Sequence, residues 1–110
     1  MTYVTRMLTV AETELFSRYA ADYWTEAEHG EFVAWIAKHP EAGDVIPASG
    51  GCRKVRWTRG GMGKRGGVRV IYFNQISEGT IWLLLIYGKS AIDNIPAHTL
   101  RALRNEIDHG

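Results

Sequence analysis

Residues 81–87 read Ile-Trp-Leu-Leu-Leu-Ile-Tyr, seven apolar or aromatic residues in a row. A strand with one face in water alternates apolar and polar side chains, and this run does not. It is far too short to span a bilayer. Its length and its β-branched and aromatic content fit a strand buried on both faces, so the chain must build a sheet with Thr80–Tyr87 near its centre. Two further strands precede it. Cys52–Trp57 alternates cations with Val55 and Trp57, and Val68–Phe73 is rich in β-branched and aromatic residues. Short connections between the three predict an antiparallel meander.

The flanks of this sheet region read as helix. Thr9-Val10-Ala11-Glu12 fits a capping box opening a helix with Leu15, Phe16, Tyr19, Ala20 and Tyr23 at helical spacing. Thr25-Glu26-Ala27-Glu28 fits a second box, with Phe32, Val33 and Ile36 on one stripe and a stop at His39-Pro40. A last helix is predicted with Asn94 as its cap, Pro96 in the first turn, and Leu100, Leu103 and Ile107 as its apolar stripe. "YVTRML" at the start reads as a short strand, and residues 43–51 read as loop. The order is β-α-α-β-β-β-α. It predicts one α+β domain over residues 1–110, a small antiparallel sheet with an N-terminal helical hairpin and its helices segregated to one side.

Charge is distributed unevenly. Residues 1–44 hold eight acids against Arg6, Arg18 and Lys38, and residues 45–77 hold no acid and seven cations. Those seven, Arg53, Lys54, Arg56, Arg59, Lys64, Arg65 and Arg69, should create a local positive field that attracts phosphates. The overall net charge of only +1 conceals this. The single cysteine, Cys52, cannot form an internal disulfide, and the opening residues show no basic-then-apolar leader. A cytoplasmic protein with no membrane partner is the expectation.

Between the first two strands lies "RGGMGKRGG", residues 59–67. Gly61-x-Gly63-x-x-Gly66 matches the dinucleotide fingerprint by letter, but that motif must open a helix and here it opens a strand. A phosphate-binding P-loop would need glycine at Thr58 and Ser or Thr at Arg65. No histidine pair has ligand spacing, so neither a metal nor another cofactor is expected. The glycines instead suggest a cationic loop approaching a nucleic-acid backbone. Side chains two apart on a strand share a face, so Lys54 and Arg56 point one way and Arg53, Val55 and Trp57 the other. If Arg69 faces with Lys54 and Arg56, the three form a cationic patch, which Lys64, Arg65 and Lys89 could flank. Trp57, Tyr72, Phe73 and Tyr87 interleave the cations and can stack on unpaired bases. Tyr87, ending the buried strand, is expected to emerge at the sheet rim.

Together, "HPEAGDVI", "GCRKVRW", "GKRGGVRVIYF" and "LLLIYGK" resemble the RelE/ParE superfamily of bacterial type II toxins, in particular its HigB-like branch. The resemblance covers nearly the whole chain. It implies a small α+β toxin that cleaves mRNA on the ribosome and is silenced by a cognate antitoxin, with a helix-turn-helix domain expected in that antitoxin. It places the family's functional positions on Lys54, Arg56, Arg69, Tyr87 and Lys89, with Lys64 and Arg65 in the loop; Arg53 and Arg59, from the basic segment itself, are expected as further phosphate contacts. The chain departs from some relatives in having Ser90 after Lys89 and no tyrosine after residue 90.

Such chemistry suits a site without a histidine pair. The RNA supplies its own nucleophile, the 2′-OH, and the protein must align it, take its proton and stabilise the extra phosphorane charge. Arginines fork onto phosphate oxygens and stay charged. A lysine among other cations is disfavoured in its charged form and can act as a base, and Lys54 is the candidate. The alternatives are a ParE-like protein that binds gyrase and cleaves nothing, and a non-catalytic RNA-binding module.

Overall fold

The computed structural model describes residues 8–58, 67–88 and 95–109. The elements in chain order are β1 (Thr9–Glu12), α1 (Glu14–Tyr23), α2 (Glu26–Lys38), β2 (Asp44–Val45), β3 (Cys52–Trp57), β4 (Val68–Gln75), a 3₁₀ turn (Ile76–Glu78), β5 (Thr80–Gly88) and α3 (Ala97–His109). The strands form one sheet in the order β1-β5-β4-β3-β2. The architecture is α+β, and β5 pairs on both sides, as its unbroken apolar run requires.

Three expectations are corrected. The sheet is mixed, because β1 pairs with β5 in parallel, Thr9 opposite Thr80 through Glu12 opposite Leu83. A two-residue strand, β2, lies in the segment read as loop and pairs with Arg53 and Lys54. The helices do not gather on one side. Phe16 and Ala20 of α1 and Phe32 and Ile36 of α2 pack on Val55, Val68, Val70, Tyr72, Leu83 and Ile86, whereas Leu100 of α3 packs with Cys52, Ile71, Phe73 and Leu84 in a separate cluster. β4 explains the need for both: Val70 and Tyr72 on one face and Ile71 on the other are at most 1% exposed, so both faces must be covered. In β5 the register shifts so that Ile71 faces Leu85 and Tyr72 faces Leu83. The extra residue, Leu84, is a bulge that joins Leu85 in packing on the α3 side.

The first capping box is also corrected. Thr9 and Glu12 lie in β1, and α1 is capped by Thr13, whose hydroxyl accepts from the Phe16 N–H at 3.0 Å and donates to the Leu84 carbonyl at 2.9 Å. Glu12 instead holds Ser17 (2.6 Å) and His29 (2.5 Å), tying β1 to α1 and α2. The second box forms as read: Thr25 and Glu28 exchange backbone-to-side-chain bonds of 2.9 and 3.2 Å. Residues 1–7, which hold most of the expected first strand, and Asn94 lie outside the described residues. Among the described residues no helix is long and apolar enough to cross a membrane.

Beyond Leu83 the outer edge of β5 has no strand partner among the described residues. α1 lies along it, with Thr13 bonding Leu83 and Leu84 at one end and the Tyr23 hydroxyl accepting from the Gly88 N–H at 3.1 Å at the other. A helix thus covers a sheet edge that would otherwise offer unpaired backbone groups.

Candidate nucleic-acid interface

Register decides which of the basic strand residues meet. Arg56 of β3 stands opposite Arg69 of β4, and Arg69 stands opposite Tyr87 of β5. Directly opposed residues point to the same face, so the three form a row across the sheet. Lys54 lies two residues before Arg56 and therefore shares the face, opposite Ile71. Val55, Val68 and Val70 point the other way into the core of α1 and α2, which fixes the cations on the α3 side of the sheet.

The row lies at the end of the sheet where β3 leaves for the glycine loop and β4 returns from it. α3 occupies the opposite end of the same face: the Cys52 thiol approaches the Leu100 carbonyl at 3.8 Å, and the Arg104 guanidinium lies 4.6 Å from the Phe73 ring centre. Arg101 donates to the Ala48 carbonyl at 2.9 Å, so this helix is fastened to the turn before β3. Lys54 and Arg56 are exposed, and Arg69 is half-buried. Neither Lys54 nor Arg56 is in an ion pair with a described carboxylate, although Asp44 stands opposite Lys54 in register. Adjacent strands are about 4.8 Å apart. Three cations so placed fall within one Debye length at physiological salt, about 8 Å, and their fields add.

Other residues singled out in the sequence lie elsewhere. Arg53 is on the opposite face, and its guanidinium donates to the carbonyls of Gly43 (2.8 Å) and Glu41 (3.3 Å), pinning the segment before β2. Arg59, Lys64, Arg65 and Lys89 lie outside the described residues. Tyr87 does not emerge at the rim: it is 8% exposed and packed in the α3-side cluster, so it offers no open ring for stacking. Tyr72 is fully buried, donating its hydroxyl to the Pro40 carbonyl at 2.8 Å and accepting from the Gly43 N–H at 2.9 Å. Burial pushes its phenol up, against the lowering effect of that N–H. Phe73 is core, and Trp57 packs between Trp35 and Phe32 at centroid distances of 4.8 and 5.3 Å. The aromatics between the cations therefore serve the fold. The exposed aromatic at this end of the sheet is Tyr23, beside Gly88, which sequence reading placed on the apolar face of α1. Its spacing from Leu15 and Tyr19 is the signal that could have marked it.

Gly67 gives a local reason for one glycine of the loop. Its φ is +74°, and a Cβ there would fall 2.4 Å from the Trp57 carbonyl oxygen and 2.5 Å from the Thr58 hydroxyl. The backbones at the base of the β3–β4 connection approach too closely for any side chain, so this glycine is required by the hairpin whatever the loop binds.

No family model matches the chain. Among solved structures it is similar to the solution structure of conserved hypothetical protein HP0892 from Helicobacter pylori, at 14% identity and a TM-score of 0.45, over 76% of this chain and 97% of that one.

Proposed function

We propose that this protein is the toxin of a type II toxin-antitoxin pair, a RelE-like endoribonuclease that cleaves mRNA on the ribosome. The observation that carries the reading is the row Arg56–Arg69–Tyr87 with Lys54 on the same face, three cations brought together by strand register, of which Lys54 and Arg56 are exposed. The resemblance of the sequence around these residues to the HigB-like toxins supplies the reaction class.

In the proposed reaction an RNA phosphate lies over Arg56 and Arg69, whose guanidinium groups take the non-bridging oxygens and stabilise the charge that grows in the phosphorane. The neighbouring 2′-oxygen attacks phosphorus and gives its proton to Lys54, the candidate base. The bond from phosphorus to the 5′-oxygen breaks and that oxygen takes a proton from water, leaving a 2′,3′-cyclic phosphate and a 5′-hydroxyl. Tyr87, buried beside Arg69, acts by holding that arginine's side of the row in place. The ribosome supplies the alignment of message that a small open face does not, and the antitoxin partner blocks the reaction.

The test is induction of the chain in bacteria with primer extension on a translated message. New breaks within codons, with translation stopped, support the reading. Intact message with arrested replication supports a gyrase-directed protein, and intact message with RNA binding alone supports a non-catalytic module. Arg69→Ala and Arg56→Ala are each expected to lower cleavage on the order of 100- to 1000-fold, the usual loss for one positioned charge stabiliser. Parental cleavage by both variants, shown to be folded, overturns the site.

A further inference from the structure

Leu15, Tyr19 and Tyr23 recur at four-residue spacing along α1, on the flank next to its buried Phe16 and Ala20. They are 36%, 44% and 40% exposed, and they make up three of the four large apolar side chains exposed among the described residues. Single exposed apolar residues are ordinary, but a contiguous set marks an interaction surface. At its Leu15 end the stripe opens into a groove of about 590 Å³ between α1 and α3, lined by Trp82 of β5 and by Leu103 and Ile107. From Leu15 to Tyr23 the stripe runs about 12 Å along the helix, and the groove extends it. That length matches two to three turns of a second helix.

The rim of this surface is acidic. Glu14 and Glu106 line the groove and Asp22 follows along α1, against one cation among the described residues, Arg18, which sits 3.4 Å from Glu14. An acidic rim disfavours nucleic acid and anionic lipid. It also disfavours a second copy, because isologous pairing would set Glu14 and Asp22 against like charges.

We propose that this surface docks an amphipathic helix of a protein partner. Apolar side chains of that helix at i, i+4 and i+7 lie on Tyr19, Leu15 and Trp82, and lysines or arginines on its flank face Glu14, Asp22 and Glu106. The proposal does not rest on the RNA reading. Trp82 and Tyr87 are five residues apart on β5, so the groove lies about 17 Å along the strand from the cationic row.

The experiment titrates the ¹⁵N-labelled full chain with a synthetic 14-residue helical peptide carrying leucines at i, i+4 and i+7 and lysines beside them. A second peptide has glutamate at each lysine position. Expected are saturable shifts at Leu15, Tyr19, Trp82 and Leu103, at least tenfold tighter for the lysine peptide and lost in Tyr19→Ser. Leu15→Ser provides a second exposed substitution if Tyr19→Ser does not fold. Equal affinity for the two peptides, shifts centred elsewhere, or no saturable binding overturns the proposal. So does concentration-dependent dimerisation of the chain alone that Tyr19→Ser abolishes, which gives the surface to a second copy.

Discussion

Arg56 and Arg69 face each other directly across β3 and β4, two guanidinium-bearing side chains in one cross-strand pair. Like charges in that position destabilise a sheet, by roughly 0.2–1 kcal/mol on the scale of cross-strand pairs. Arg56→Thr should therefore raise the unfolding free energy by a few tenths of a kcal/mol at low salt while lowering the proposed RNA cleavage by on the order of 100-fold or more. Added salt should shrink the stability gain, because exposed charges are screened. Urea melts at two ionic strengths with a cleavage assay check this. A variant that loses stability would show that favourable contacts of Arg56 outweigh the repulsion within the pair.

Gly67 and Gly79 both have positive φ, +74° and +66°, but only Gly67 is crowded. At Gly79 nothing lies within 4 Å of an added Cβ. Gly79→Ala should thus cost only the left-handed backbone penalty, about 1–2 kcal/mol. Gly67→Ala must add the clash with the Trp57 carbonyl and is expected to cost at least about 1 kcal/mol more than Gly79→Ala. Equal melting temperatures for the two variants would mean that the hairpin base yields without cost.

Thr13 and Thr25 cap their helices in the same way, yet Thr13 also bonds the Leu84 carbonyl. Loss of a cap costs about 0.5–2 kcal/mol, and loss of a further hydrogen bond about 1 kcal/mol. Thr13→Ala is expected to destabilise more than Thr25→Ala by about that second amount. Hydrogen exchange should localise the difference: Thr13→Ala should loosen α1 from the β5 edge, and Thr25→Ala should fray only the start of α2.

Stability should fall at alkaline pH through two buried groups. Burial raises the Tyr72 phenol above its ordinary 10.0 and the Cys52 thiol above its ordinary 9.0. A group whose folded value is raised holds its proton more tightly when folded. Its contribution is complete below the unfolded value and is lost as pH climbs through the folded one. Melting temperatures should begin to drop above about pH 9 and drop further above about pH 10. Tyr72→Phe should flatten the upper part of that decline, while costing about 1–3 kcal/mol at neutral pH because the Gly43 N–H loses its acceptor. A parental slope above pH 10 in Tyr72→Phe would remove Tyr72 as its source.

Much of the fold was legible. The helix over Glu26–Lys38 follows from Thr25, Glu28 and Pro40, and the three long strands from their period and composition. The two-sided burial of the run at 81–87 already implied helices on both faces of the sheet, a consequence that the expectation of one-sided helices overlooked. The Thr9–Glu12 misreading has a plain cause. Thr13 lies next to a second acid, Glu14, and only the pairing of residues 9–12 with β5 decides which threonine begins the helix.

The sequence by itself determined the three long strands, the second helix, and the side of β3 on which Lys54 and Arg56 must lie, because period and capping act between residues a few positions apart. The tertiary structure decided that Arg56, Arg69 and Tyr87 form one row, that Tyr87 is buried, and that Leu15, Tyr19 and Tyr23 are left exposed. These depend on register and on which surfaces meet. The bond from Thr13 to Leu84 crosses 71 residues of chain, and no local pattern encodes a contact whose partner is chosen only when the sheet closes.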